Sequence, residues 1–125
     1  MKIFYWSPFI SKVATVSSVI RSAESILKYS KRKNNVNLAI VDAIGEWQDY
    51  KKKINPKIEI INLNKKNFFH YLPSEGFFKS RFSYVLIFIL TFFKLFNLIN
   101  KEKPDYIIAH LLTSIPILLT LIIKN

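Results

Sequence analysis

The sequence predicts an α/β fold, an open and mostly parallel sheet with helices on both faces. Three observations predict it. Short apolar runs rich in β-branched and aromatic residues alternate with stretches of helical periodicity. The elements follow one another in the order β-α-β-β-α-β-α, which a parallel sheet accommodates. Half of the 125 residues are apolar, enough for one core but not for two lobes.

The first strand is Lys2–Trp6, stopped by Ser7-Pro8. No secretory leader is expected, because this run is far shorter than the apolar core of a signal peptide. A loop through Ser11 leads into a helix in which Val16, Val19, Ile20, Ala23, Ile26 and Leu27 recur at helical spacing. Ser11 or Thr15 would cap it, and Lys28, Lys31, Arg32 and Lys33 suit its carboxyl end, where the helix dipole favours cations. Asn34-Asn35 turns the chain into a second strand over 36–41, which ends at Asp42. Gly45 lies in the next loop, and a polar stretch with Lys51, Lys52 and Lys53 leads to Pro56.

Ile58, Ile60, Ile61 and Leu63 mark a third strand, and residues 64–79 read as loop, punctuated by Pro73 and Gly76. Residues 80–100 read as a long helix, broken by Lys101-Glu102-Lys103-Pro104-Asp105. Tyr106–Ala109 is a fourth strand, with His110 directly after it. Thr113 or Ser114 would cap a last helix that carries Pro116 in its first turn. The chain stops where another strand is expected, so it reads as a truncated domain.

The formal charge is +11, which invites a polyanion as partner. Of the 19 basic residues only Arg21, Arg32 and Arg81 are arginines, so much of the charge also fits a bias toward lysine. A nucleic-acid-binding module is the weakest reading: no recognition motif occurs, and arginine, the preferred base reader, is scarce. There is no cysteine, which excludes disulfides and thiolate metal sites, and two histidines are too few for a histidine cluster.

Between residues 82 and 99 the polar positions are Ser83, Thr91, Lys94 and Asn97. The uninterrupted apolar part is shorter than the roughly 20 residues that a bilayer span needs. Three readings stay open: a crossover helix buried between the sheet and neighbouring elements, a span in which Lys94 snorkels, and a helix that packs on the sheet and dips into a membrane interface, with Lys79, Arg81, Lys101 and Lys103 meeting anionic headgroups.

The motifs exclude several chemistries. The loop after the first strand, Ser7-Pro8-Phe9-Ile10-Ser11-Lys12-Val13-Ala14-Thr15, has no glycine to let a pyrophosphate approach the backbone. Asp42 is therefore read as a turn or cap residue rather than a ribose-binding acid. No phosphate-binding loop and no nucleophile elbow occur. His70 reads as a loop residue. His110 should emerge at the carboxyl edge of the sheet, where open α/β folds bind ligands.

Lys103-Pro104-Asp105-Tyr106-Ile107-Ile108-Ala109-His110-Leu111, followed by Thr113-Ser114-Ile115-Pro116, resembles a signature of family 4 glycosyltransferases with the GT-B fold. The opening Met1-Lys2-Ile3-Phe4-Tyr5-Trp6-Ser7-Pro8 is similar to the first strand and loop of their amino-terminal lobe, and Gly45-Glu46-Trp47 also fits. The sequence departs from the family pattern at Lys12-Val13-Ala14, where many relatives carry a glycine pair, and at Ile108, where many carry a second histidine.

The resemblance implies that residues 1–125 are the Rossmann-like, acceptor-side lobe of such an enzyme, without the nucleotide-sugar-binding lobe that follows in the family. It implies retaining transfer of a sugar from a nucleotide-sugar to a cell-surface glycan or lipid-linked acceptor, with no cofactor or metal required. His110 would contact the reacting sugar, and Ser7, Ser11, Thr15, Thr113 and Ser114 would line the acceptor cleft. The implied partners are these substrates and the enzyme's own second lobe; the apolar helix with its flanking cations adds an anionic membrane, and nucleic acid is not expected. The implied location is cytoplasmic, peripheral on the inner face of the membrane, and the isolated lobe would be inactive. A non-catalytic, membrane-associated remnant of such an enzyme is the alternative.

Overall fold

The computed structural model describes residues 1–10, 14–31 and 35–109. Four parallel strands form one sheet in the order β3-β2-β1-β4: β1 Lys2–Trp6, β2 Asn37–Asp42, β3 Ile58–Asn62 and β4 Tyr106–Ala109. Two helices accompany them, α1 Ala14–Tyr29 and α2 Phe77–Glu102. The expected last helix falls on residues outside those described.

Alternation along the strands divides the core in two. Ile3 and Tyr5 of β1 and Leu38 and Ile40 of β2 join α1's Val16, Val19 and Ala23 on one face. Phe4, Trp6, Ala39 and Val41 face the other way and join α2's Ile87, Leu95 and Ile99. Each helix thus covers one face of a sheet whose central strands are buried on both sides, which is why they read as continuous apolar runs.

α1 forms because its apolar residues recur at three- and four-residue spacing, leaving Ser17, Ser18, Arg21, Glu24 and Ser25 outside. The Tyr5 hydroxyl and Ser22 Oγ, 2.8 Å apart, join the helix to β1. The connection from β2 to β3 holds no α-helix, only a 3-10 helix over Gln48–Lys53. Phe9 takes the place of a helical ridge there, meeting Trp47, Tyr50 and Phe69 edge to face at centroid distances of 5.2, 5.9 and 5.7 Å.

Helix α2 begins at Phe77, three residues before the sequence-based boundary. Gly76, with φ +87° and ψ 155°, turns the chain sharply into it, a conformation open almost only to glycine. It ends on Lys103, whose left-handed backbone lets its N–H donate to Ile99 O at 2.8 Å. The residues against the sheet are Ser83, Ile87, Thr91, Leu95 and Ile99. Two of the helix's few polar side chains therefore point inward, an arrangement that hydropathy alone would reverse.

Candidate functional site at the carboxyl edge of the sheet

Open parallel sheets bind ligands beyond the carboxyl ends of their strands, where the strand order reverses. Here it reverses between β1 and β4, and Trp6 pairs with Ala109, so both strands end side by side. Ser7 follows Trp6 and is fully buried. Its Oγ, with Trp6 Nε1 and Trp47 Nε1, makes no hydrogen bond among the described residues.

Next to it, the end of β2 carries a dense polar network. Asp42 Oδ1 accepts Gly45 N–H at 2.7 Å, as expected of a turn residue. Asp42 Oδ2 accepts Gln48 Nε2 at 2.7 Å, and Gln48 Nε2 also donates to Asn62 Oδ1 at 2.6 Å. Glu46 accepts the N–H groups of Ala43 at 3.1 Å and Ile44 at 2.8 Å. Asn64 Nδ2 donates to Ala43 O at 2.7 Å, and Lys94 of α2 donates to Asn64 Oδ1. The loop 43–45 is thereby held from β3, from the 3-10 helix and from α2.

Glu46 is almost wholly buried. Burial first, and then the neighbouring Asp42 charge and its hydrogen bond, push the Glu46 carboxyl well above the usual carboxylate range. Glu46 therefore retains its proton where an isolated glutamate would lose it. Beside it a hollow of about 260 Å³ is lined by Gln48, Asn62, Asn64, Asn67 and the lysines Lys65 and Lys66. Amides and ammonium groups can hydrogen-bond a hydroxylated or anionic ligand there, while the buried acids fix the rim. A larger cleft of about 500 Å³, bounded by Lys2, Lys57, Glu59 and Lys101, lies at the amino ends of the strands, away from this edge.

Of the residues singled out in the sequence, Ser7 lies at this edge and Thr15 in the first turn of α1, partly buried. Lys79 and Arg81 are exposed in the first turns of α2, with Lys101 and Lys103 exposed at its other end. Ser11, His110, Thr113 and Ser114 lie outside the described residues. His70 sits exposed in a short 3-10 turn over Phe69–Tyr71, against the Phe69 ring. Among the described residues, no three His, Asp or Glu stand close enough to hold a metal ion.

Glu46, Gln48, Asn62, Asn64 and Asn67 were not legible as a group. One signal could have pointed to them: Asn62 and Asn64 follow the apolar run of β3 directly, the position from which side chains reach a sheet's carboxyl edge. No family model matches this chain, and no curated protein or solved structure matches it.

Proposed function

We propose that this chain is the Rossmann-like, acceptor-side lobe of a GT-B glycosyltransferase similar to family 4. It would serve retaining transfer of a sugar from a nucleotide-sugar to a cell-surface glycan or lipid-linked acceptor, at the cytoplasmic face of a membrane. The observation that carries this reading is the parallel pairing of β4 with β1. It brings the ends of the two stretches that bear the family resemblance to the same edge, where the strand order reverses.

In such a transfer the bond from the sugar to its diphosphate breaks and a bond to an acceptor hydroxyl forms. Positive charge develops on the sugar and negative charge on the leaving group. The lobe described here would hold the acceptor. His110 would contact the reacting sugar, while Ser7, Ser11, Thr15, Thr113 and Ser114 would offer hydroxyls along the cleft. Cations and helix amino termini of a second lobe would stabilise the departing diphosphate.

The test begins with the coding sequence beyond residue 125, in which a lobe with a phosphate-binding loop and two spaced glutamates is expected. The two-lobe protein is then assayed with radiolabelled nucleotide-sugars on a membrane lipid extract. It should transfer label, and the His110→Ala variant should lose about a hundredfold in rate. Full transfer by that variant would remove His110 from the reaction. Transfer by residues 1–125 alone would overturn the assignment as one lobe of two.

A further inference from the structure

The outer face of α2 is more apolar than the face it turns to the sheet. Phe78, Phe82, Val85, Ile89 and Phe93 recur at three- and four-residue spacing, form one stripe, and are each more than half exposed. The stripe lies opposite the buried row of Ser83, Ile87, Thr91, Leu95 and Ile99. A solvated helix ordinarily shows the reverse pattern. A contiguous apolar face of this kind marks an interaction surface.

The charges around the stripe select its partner. α2 carries four cations, Lys79, Arg81, Lys94 and Lys101, and one acid, Glu102. That acid is already paired, with Glu102 Oε2 accepting from Lys2 Nζ at 2.8 Å. Lys94 donates to the neutral amide of Asn64, so its charge is uncompensated there. The Arg81 guanidinium stands 4.1 Å from the centre of the Phe77 ring, at the border of the apolar stripe. By helical spacing Lys79 stands on one flank of the stripe and Arg81 on the other, while Lys94 and Lys101 lie on the side that faces the sheet, Lys94 at Asn64 and Lys101 at the cleft beside Lys2. An apolar centre with cationic flanks and no free acid matches a bilayer with anionic headgroups.

The fold also sets the orientation. At about 1.5 Å per residue, the 26 residues of α2 extend roughly 39 Å, long enough to cross a bilayer. Ile87, Leu95 and Ile99 pack into the same core as Phe4, Trp6, Ala39 and Val41 of the sheet, however. A spanning helix would draw a sheet with open edges into hydrocarbon, where its unpaired backbone groups find no partner. A helix lying flat satisfies both surfaces.

We infer that α2 docks this protein flat on an anionic membrane, with Phe78, Phe82, Val85, Ile89 and Phe93 below the headgroups and Lys79 and Arg81 at the phosphates. This deepens the membrane location in the proposed function, but it needs no sugar chemistry and stands or falls without the glycosyltransferase reading.

The chain has no cysteine, so single cysteines can carry a polarity-sensitive fluorophore at chosen points. Phe82→Cys and Phe93→Cys label the stripe, about 16 Å apart along the helix, and Ser25→Cys labels the exposed side of α1. With vesicles containing one-third phosphatidylglycerol, both stripe labels should shift to the blue and be quenched to equal depth by brominated lipid. The label at position 25 should not respond. Neutral phosphatidylcholine vesicles should bind at least tenfold more weakly, as should Lys79→Glu/Arg81→Glu on anionic vesicles, with an unchanged melting temperature. Four results would each overturn the inference: no shift, an equal shift at position 25, depths that differ steeply between positions 82 and 93, or binding insensitive to salt and lipid charge. So would a concentration-dependent dimer that persists with vesicles and buries both stripe labels, since the stripe would then join two copies of this chain.

Discussion

Glu46 and Asp42 bring two carboxyl groups together at the end of β2, and both Glu46 oxygens are occupied by backbone N–H groups, from Ala43 and Ile44. Burial and the neighbouring charge favour the protonated form of Glu46 in the folded chain. In the unfolded chain it titrates near its ordinary value of 4.5. The folded state therefore binds the extra proton, and the stability this gives is complete below 4.5 and lost as pH rises through the raised value. Denaturant midpoints should therefore decline as the pH is raised above 4.5. Glu46→Gln should flatten that decline. Glu102 works in the opposite sense: the Lys2 hydrogen bond and then the Lys2 charge lower its pKa, so its contribution is lost as pH falls.

Gly45 is fixed by two constraints at once. Its φ is +98°, and a Cβ built there would meet Asn67 Cγ and Oδ1 at 2.5 Å. Gly76, with φ +87°, has nothing within 4 Å of the same position. Both Gly→Ala substitutions strain the backbone, by about 1–3 kcal/mol, but Gly45→Ala should cost more. Adding Asn67→Ala should recover part of the excess at position 45 and nothing at position 76. Urea unfolding of the two double variants against their parents checks this, and equal recovery at both glycines would mean that Asn67 is not the obstacle.

The strands were legible where apolar runs end on clear stops. Lys2–Trp6 and Tyr106–Ala109 are bounded by Ser7-Pro8 on one side and Pro104-Asp105 on the other, and their limits agree with the sequence reading. The start of α2 was missed because no side chain caps it: the entry is made by the backbone of Gly76. The 3-10 helix over Gln48–Lys53 has no sequence periodicity of its own and follows from Trp47 and Tyr50 packing on Phe9, a tertiary effect. The candidate site was legible only as far as Ser7 after β1 and Asp42 in its turn. Its other members come from the connection after β2, from β3 and its loop, and from α2, and only the pairing of β2 with β3 brings them together.

Phe9 is the centre of the aromatic group that stands where a crossover helix is usual. It is fully buried, and its ring meets Trp47, Tyr50 and Phe69. Phe9→Ala should cost about 3–5 kcal/mol, with faster amide exchange over Gln48–Lys53 than over β1. Phe9→Leu keeps most of the volume and should cost under about 1.5 kcal/mol. A small loss in both variants would mean that the connection is held by its backbone contacts instead.

The inward polar residues of α2 should respond differently to substitution. Ser83 Oγ donates to Pro73 O and joins the helix to the preceding loop, so Ser83→Ala leaves that carbonyl without its partner and should cost about 1 kcal/mol. Thr91 Oγ1 donates to Ile87 O one turn back in its own helix, a carbonyl that the helix itself can satisfy. Thr91→Val keeps the shape and removes a buried hydroxyl, and should change stability by less than about 0.5 kcal/mol. The small size of Thr91 should matter more than its polarity, because the position is fully buried between helix and sheet. Thr91→Leu adds volume there and should cost about 1–3 kcal/mol, which thermal unfolding of the three variants would resolve. If Thr91→Leu were neutral, α2 would have to sit looser on the sheet than the buried row from Ser83 to Ile99 indicates.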